Sequence, residues 1–171
     1  MKQIEAERDD VFILTWTVNY WDYLGEPDPM ALPVAKDRQI AYTDLLSLRA
    51  PYTPQSFYDG AKECPGTRKR DIRRNITKRI DARAEDAPSL AVSENTVQVM
   101  GVSAETLEVK LVEYLSGEAN ETNMVNPVTK VDSLGLWMGG DETFELACET
   151  TCAVLLLEQD TGEVIAVQTL N

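Results

Sequence analysis

The stretch VFILTWTVNYWDYLGEPDP, Val11–Pro29, decides how the first half of the chain is read. Val11–Val18 is apolar, β-branched or aromatic with only partial alternation. Such a run fits a strand covered on both faces, and hence a central parallel strand. The chain then gathers Tyr20, Trp21 and Tyr23 around Asp22 and breaks at Gly25, Pro27 and Pro29. A loop there lies at the carboxyl end of a sheet, where open α/β folds bind ligands. Alternation continued out of the strand puts Trp21 and Tyr23 on one face, with Tyr20 and Asp22 opposite. Asp22 has two readings, a cap for the turn that follows or a functional charge.

Outward from this stretch, Lys2–Arg8 is a weak helix ended by Asp9 and Asp10. Downstream, MALPVAKDRQIAYTDLLSL spaces Val34, Ile40, Ala41, Leu45 and Leu48 as a helix would, with Pro33 in the first turn. In APYTPQSFYDG, Pro51 and Pro54 exclude helix, QSFYD reads as a short strand and Asp59-Gly60 as a turn. Thr67–Arg83 predicts a second helix with the apolar stripe Ile72, Ile76 and Ile80. Its other faces carry eight of the chain's 16 Lys and Arg residues. A boundary falls at AEDAP, residues 84–88. Beyond it LAVSENTVQVM, TLEVKLVEYL, TFELAC, CAVLLLEQ and EVIAVQTL are short alternating runs separated by turns, the signature of an antiparallel sandwich. The expected organisation is α/β: an α/β domain over residues 1–85 and an all-β domain over 86–171.

Charge divides at the same place. Residues 1–83 hold 14 Lys and Arg against 13 Asp and Glu, whereas residues 84–171 hold 2 against 16. An acidic C-terminal half excludes nucleic acid as its partner, because phosphate binding needs clustered cations. The basic helix reads foremost as a solvated face complementing that acidic half; the alternatives are contact with an anionic membrane surface or with a nucleic acid, and it lacks the interleaved aromatics that stack bases. With no histidine in the chain, the usual general base, the Ser-His and Cys-His pairs and the commonest zinc ligand are all missing. No catalytic residue, metal ligand or cofactor is therefore assigned. No run reaches the roughly 18 apolar residues of a membrane span. The start, MKQIEAERDD, is charged where a signal peptide has an apolar core, so the sequence as it stands predicts a cytoplasmic protein.

Cys148 and Cys152, in CETTC, lie between two apolar runs, where a tight hairpin brings them to bridging distance; the alternative is two half-buried thiols. Cys64 reads as a loop thiol just ahead of the basic helix, either incidental or activated by the nearby cations. The polar loop with Glu118, Asn120, Asn123 and Asn126 lacks the carboxylates of a calcium loop and reads as turn chemistry.

The order of strand, YWDYLG loop, helix, YTPQ and helix, with the closing segments GEANETNMVNPVTKVDSLGLWMGG and CAVLLLEQDTGEVIAVQTL, resembles the DUF1223 family across nearly the whole chain. Members of that family are often exported and begin with a thioredoxin-like domain. The resemblance implies a cis bond before Pro54, beside a cleft formed by Tyr20, Trp21, Asp22 and Tyr23 on one side and Tyr52, Thr53, Pro54 and Gln55 on the other. It also implies a thiol–disulfide role, carried in the family by a Cys-x-x-Cys turn after a first strand. Neither that strand nor that turn is in this sequence, so the expectation is an incomplete thioredoxin-like domain inactive in redox chemistry. A preceding segment bearing a signal and the two cysteines would restore export and redox function together. The alternative function is a non-catalytic module binding an unidentified protein or small molecule through the β domain and this cleft.

Overall fold

The computed structural model describes residues 1–170; Asn171, the last residue of the expected β domain, lies outside them. The elements are α1 (Lys2–Glu7), α2 (Pro33–Leu45), β1 (Gln55–Tyr58), β2 (Lys62–Pro65), α3 (Lys69–Asp81), β3 (Ser89–Ser93), β4 (Thr96–Met100), β5 (Leu107–Tyr114), β6 (Val128–Trp137), β7 (Glu142–Glu145), β8 (Thr151–Glu158) and β9 (Val164–Leu170). The fold is mixed α/β, and every strand pair within its sheets is antiparallel.

The C-terminal half forms two layers, a three-stranded sheet in the order β3-β4-β7 and a four-stranded sheet in the order β6-β5-β8-β9. Alternation explains the layers. Val97 and Val99 of β4, Leu107, Val109 and Leu111 of β5, and Cys152, Val154 and Leu156 of β8 all turn into the space between the sheets. Trp137, fully buried at the end of β6, closes that core and donates its indole N–H to the Gly140 carbonyl at 3.1 Å.

The four-stranded sheet is buried on its other face too. Val112, Val128, Leu155 and Leu157 pack there against Leu14, Trp16, Leu32, Val164 and Val167. This accounts for CAVLLL, Cys152–Leu157, an unbroken apolar run where a strand with one wet face would alternate. Contacts therefore cross residues 84–88: the Thr15 N–H donates to the Asn126 carbonyl at 3.1 Å and Val128 N–H to the Thr15 carbonyl at 2.9 Å.

Three expectations need correction. Val11–Val18 is extended and covered on both sides, with Val11 and Ile13 packed toward α1 and α3 and Leu14 and Trp16 toward the sheet. It is nonetheless no regular central strand: among the described residues its pairing is two isolated parallel bridges, Thr15 with Pro127 and Thr17 with Ala31. Among the described residues, one backbone edge finds neighbours and the other does not.

Helix α2 presents a different face from the one its aliphatic spacing predicts. Ala35, Gln39, Tyr42 and Thr43 are buried, whereas Val34, Ile40, Ala41 and Leu45 are exposed. Apolar residues occur all round this helix, and tertiary partners choose among them: Tyr42 packs on Phe57 at 4.9 Å and donates its hydroxyl to the Gly162 carbonyl at 2.7 Å. Third, Cys64 lies not in a loop but in the strand β2, where it is buried and hydrogen-bonded with the Tyr58 hydroxyl at 3.2 Å. The activated-thiol reading of Cys64 loses its support, since α3 seals the sulfur in with Ile72 and Ile76.

Candidate binding cleft

Backbone alternation builds the site. Ile13, Thr15 and Thr17 direct their backbone groups to one edge: Ile13 and Thr15 bond to Asn126 and Val128, and the Thr17 carbonyl accepts from Leu32 N–H at 2.9 Å. By the period of two, Phe12, Leu14 and Trp16 turn their N–H and C=O groups the other way, where no backbone partner meets them among the described residues. Across from them runs β1. The Pro54 carbonyl accepts from Gly66 N–H at 2.8 Å, so the even-numbered residues of β1 serve β2 and the backbone of Gln55 and Phe57 faces outward. Between these two unpaired edges lies a cleft of about 770 Å³.

One stripe of α2 forms its wall. Ala35, Arg38, Gln39 and Tyr42 stand at i, i+3, i+4 and i+7 and all line the cleft. Desolvation pushes the Arg38 guanidinium below its ordinary pKa and raises that of the Tyr42 phenol. Further lining comes from Val164 and Val167 of β9 and from Leu155 of β8.

At one end a chain of hydrogen bonds joins the two loops. The Tyr20 hydroxyl donates to Gln39 Oε1 at 3.0 Å, and Gln39 Nε2 donates at 2.8 Å to both the Tyr52 carbonyl and Gln55 Oε1. Gln55 Nε2 donates to Glu63 Oε2 at 3.1 Å, the oxygen that also accepts the Tyr52 hydroxyl. Burial, then this bond to Glu63, drives the Tyr52 pKa up. Trp21 Nε1 donates to Thr53 Oγ1 at 3.0 Å, and the Thr53-Pro54 bond is cis. A family model described as a protein of unknown function, DUF1223, matches residues 1–168. The chain belongs to the DUF1223 family. A crystal structure of a protein from Agrobacterium tumefaciens, determined by a structural genomics consortium, resembles this DUF1223 chain with a TM-score of 0.76. The two are 23% identical, over 99% of this chain and 83% of that one, a likeness of fold. No curated protein matches.

Of the residues singled out from the sequence of this DUF1223 chain, Thr53, Pro54 and Gln55 line the cleft itself. Tyr20 and Tyr52 reach it through Gln39. Trp21 and Tyr23 form an exposed aromatic step with rings 6.4 Å apart, and Tyr20 packs 5.3 Å from Trp21, so strand-like alternation does not persist past Val18. A 3₁₀ turn over Asp22–Leu24 breaks it. Asp22 Oδ1 accepts the Asp28 N–H at 3.4 Å, and no side chain caps the Asp22–Leu24 turn itself. Cys148 and Cys152 are joined in a disulfide with Cα atoms 6.1 Å apart. Cys152 faces the core between the sheets, on the side of the four-stranded sheet away from the cleft.

The basic helix pairs mainly with acids of its own half: Arg73 with Glu7, and Arg68 and Arg74 with Asp71. Only Arg79, held by Asp59 at 3.3 Å and Glu163 at 2.5 Å, reaches the acidic half among the described residues. In the polar loop Asn120 Oδ1 accepts from Thr122 N–H at 3.1 Å and its Nδ2 donates to the Met124 carbonyl at 2.9 Å, as turn chemistry requires. Sequence reading missed Arg38, Gln39, Phe12, Leu14 and Trp16. The available signal was the spacing 35, 38, 39, 42 on α2, hidden because two of its four residues are polar.

Proposed function

We propose that this chain is a polypeptide-binding module that adds one extended segment as a strand between Phe12–Trp16 and Gln55–Phe57. The observation that carries the reading is the pair of unpaired backbone edges facing one cleft of about 770 Å³. That volume is within the usual range for ligand sites, about 300–1,000 Å³. Strand addition supplies affinity through main-chain hydrogen bonds, which suits a wall whose unused groups are main-chain amides. Apolar lining from Leu14, Trp16, Phe57 and Val167 would receive alternate side chains of the guest.

The thiol–disulfide reading rests on the thioredoxin-like character inferred from the family resemblance. Against it within these residues, Cys64 is buried and the other two cysteines are bonded to each other away from the cleft. An insulin-reduction assay with dithiothreitol as reductant discriminates: turnover above the reagent background would defeat the non-catalytic reading.

The binding test uses a ten-residue peptide of alternating Val and Thr, and the same peptide N-methylated at every second residue. The unmodified peptide is expected to bind and to slow amide exchange at Phe12, Leu14, Trp16, Gln55 and Phe57. Equal binding by the N-methylated peptide, or unchanged exchange at those amides, would refute strand addition.

A further inference from the structure

Arg38 has no ion-pair partner within 4.0 Å and no hydrogen-bond acceptor among the described residues, although it is half-buried in the cleft wall. Its guanidinium carbon lies 4.8 Å from the Trp16 ring centroid and 4.9 Å from that of Tyr42. The rings hold the flat group by its faces and leave its N–H edge unused. The acids whose charge reaches Tyr42, Asp59 and Glu163, are both taken by Arg79. Five donors on a rigid planar fork are thus presented in a partly desolvated wall with nothing to accept them. A guanidinium in that state loses hydration without gaining a partner, and desolvation lowers its pKa accordingly.

We infer that Arg38 is an anion-recognising residue and that the segment bound in the cleft carries a carboxylate opposite it. This rests on, and deepens, the strand-addition reading. A carboxylate is the acceptor that satisfies a guanidinium fork through two parallel hydrogen bonds. Of the other acids lining the cleft, Asp10 is bonded to Arg8 and Asp59 to Arg79, whereas Asp9 has no ion pair among the described residues. These acids oppose a guest carboxylate beside them, whereas Arg38 attracts one at the Trp16–Tyr42 corner. Arg38 therefore sets register as well as affinity. The carboxylate has two sources, an Asp or Glu side chain or a free C-terminus.

Two measurements test this separately from strand addition. In the first, the Nε–Hε resonance of Arg38, assigned by its loss in Arg38→Met, is followed during titration with sodium acetate and with sodium chloride at matched ionic strength. Acetate is expected to shift it saturably and chloride not to. In the second, three ten-residue Val/Thr peptides are compared: one with a central Glu and an amidated end, one with Gln and an amidated end, one with Gln and a free carboxylate. At least one carboxylate peptide is expected to bind about tenfold more tightly than the Gln amide. Which one does so identifies the source. The preference should vanish in Arg38→Met, which keeps the packing on Trp16 and Tyr42, and fall only partly in Arg38→Lys. Equal affinity for all three peptides together with an unmoved Arg38 resonance overturns the carboxylate inference and leaves strand addition standing. A saturable acetate shift with no peptide bound supports the carboxylate site and refutes strand addition.

Discussion

Replacing Gln39 by Met, which keeps the volume and removes the amide, tests whether the cleft's end is held by the network drawn above. Gln39 is only 7% exposed, and its amide makes three hydrogen bonds of 2.8–3.0 Å to Tyr20, Tyr52 and Gln55. A net value of about 0.5–1.5 kcal/mol per bond gives about 1.5–4.5 kcal/mol for the three. The half-buried Tyr20 hydroxyl regains a water partner, which lowers the total. The Tyr52 carbonyl is left facing a thioether, which raises it, and about 2–3 kcal/mol is the working figure. For a chain of this length, that is about 4–12 °C in Tm. Urea unfolding followed by tryptophan fluorescence measures it, with Tyr20→Phe and the double variant completing a cycle. A coupling of about 0.5–1 kcal/mol is expected between residues 20 and 39. A loss below about 0.5 kcal/mol for Gln39→Met, or no coupling, would show that the amide is replaceable by solvent and that something else holds the two loops together.

Gly60→Ala should cost about 2–4 kcal/mol, because Gly60 has φ +77° and an added Cβ would sit 2.9 Å from Tyr42 Cε1 and 3.0 Å from the Gly162 carbonyl oxygen. Gly117→Ala is the control, since at φ +53° it meets nothing within 4 Å, and only about 1 kcal/mol is expected; equal losses by calorimetry would dismiss the clash. Leu156→Ala, at a fully buried position between the sheets, should lose about 2–5 kcal/mol in urea unfolding, and a loss near zero would contradict the packing described. At high pH, Tyr42, Tyr52, Tyr58 and Tyr114 all have raised pKa values, with burial the first cause in each. Because the folded pKa exceeds the unfolded one, their contribution to stability is complete below about pH 10 and is lost as pH rises further. Phenolate absorbance should thus appear for these four only as the fold gives way; four normal titrations in the intact protein would be incompatible with that burial.

Much of the fold was legible because period and length act locally. Ile72 and Ile76 of α3 are buried as their spacing predicts, β3, β4, β5, β7 and β9 fall on alternating runs, and β8 falls on CAVLLL, which is apolar throughout. Where sequence reading failed, a distant partner had decided the matter. The apolar content of Val11–Val18 reports burial correctly but says nothing of whether a neighbour pairs with both edges. Helix α2 offers two apolar faces, and Phe57 and Gly162 select the one with Tyr42. β6 carries polar residues and two register shifts that blur its alternation. For the site, YTPQ pointed to one margin of the cleft; the opposing wall is made of main-chain groups, which leave no side-chain signature.

The four-stranded sheet, apolar on both faces, works as a party wall. Val154 and Leu156 serve the room between the sheets, while Leu155 and Leu157 serve the layer beside the cleft. Neither room can be demolished without weathering the other. A protease cut at residues 84–88 would be harmless only while the pieces stayed together, and residues 86–171 produced alone would turn Leu155, Leu157, Val112 and Val128 out to water. The chain's two differently charged halves thus share one wall, and a single calorimetric transition is the expected outcome.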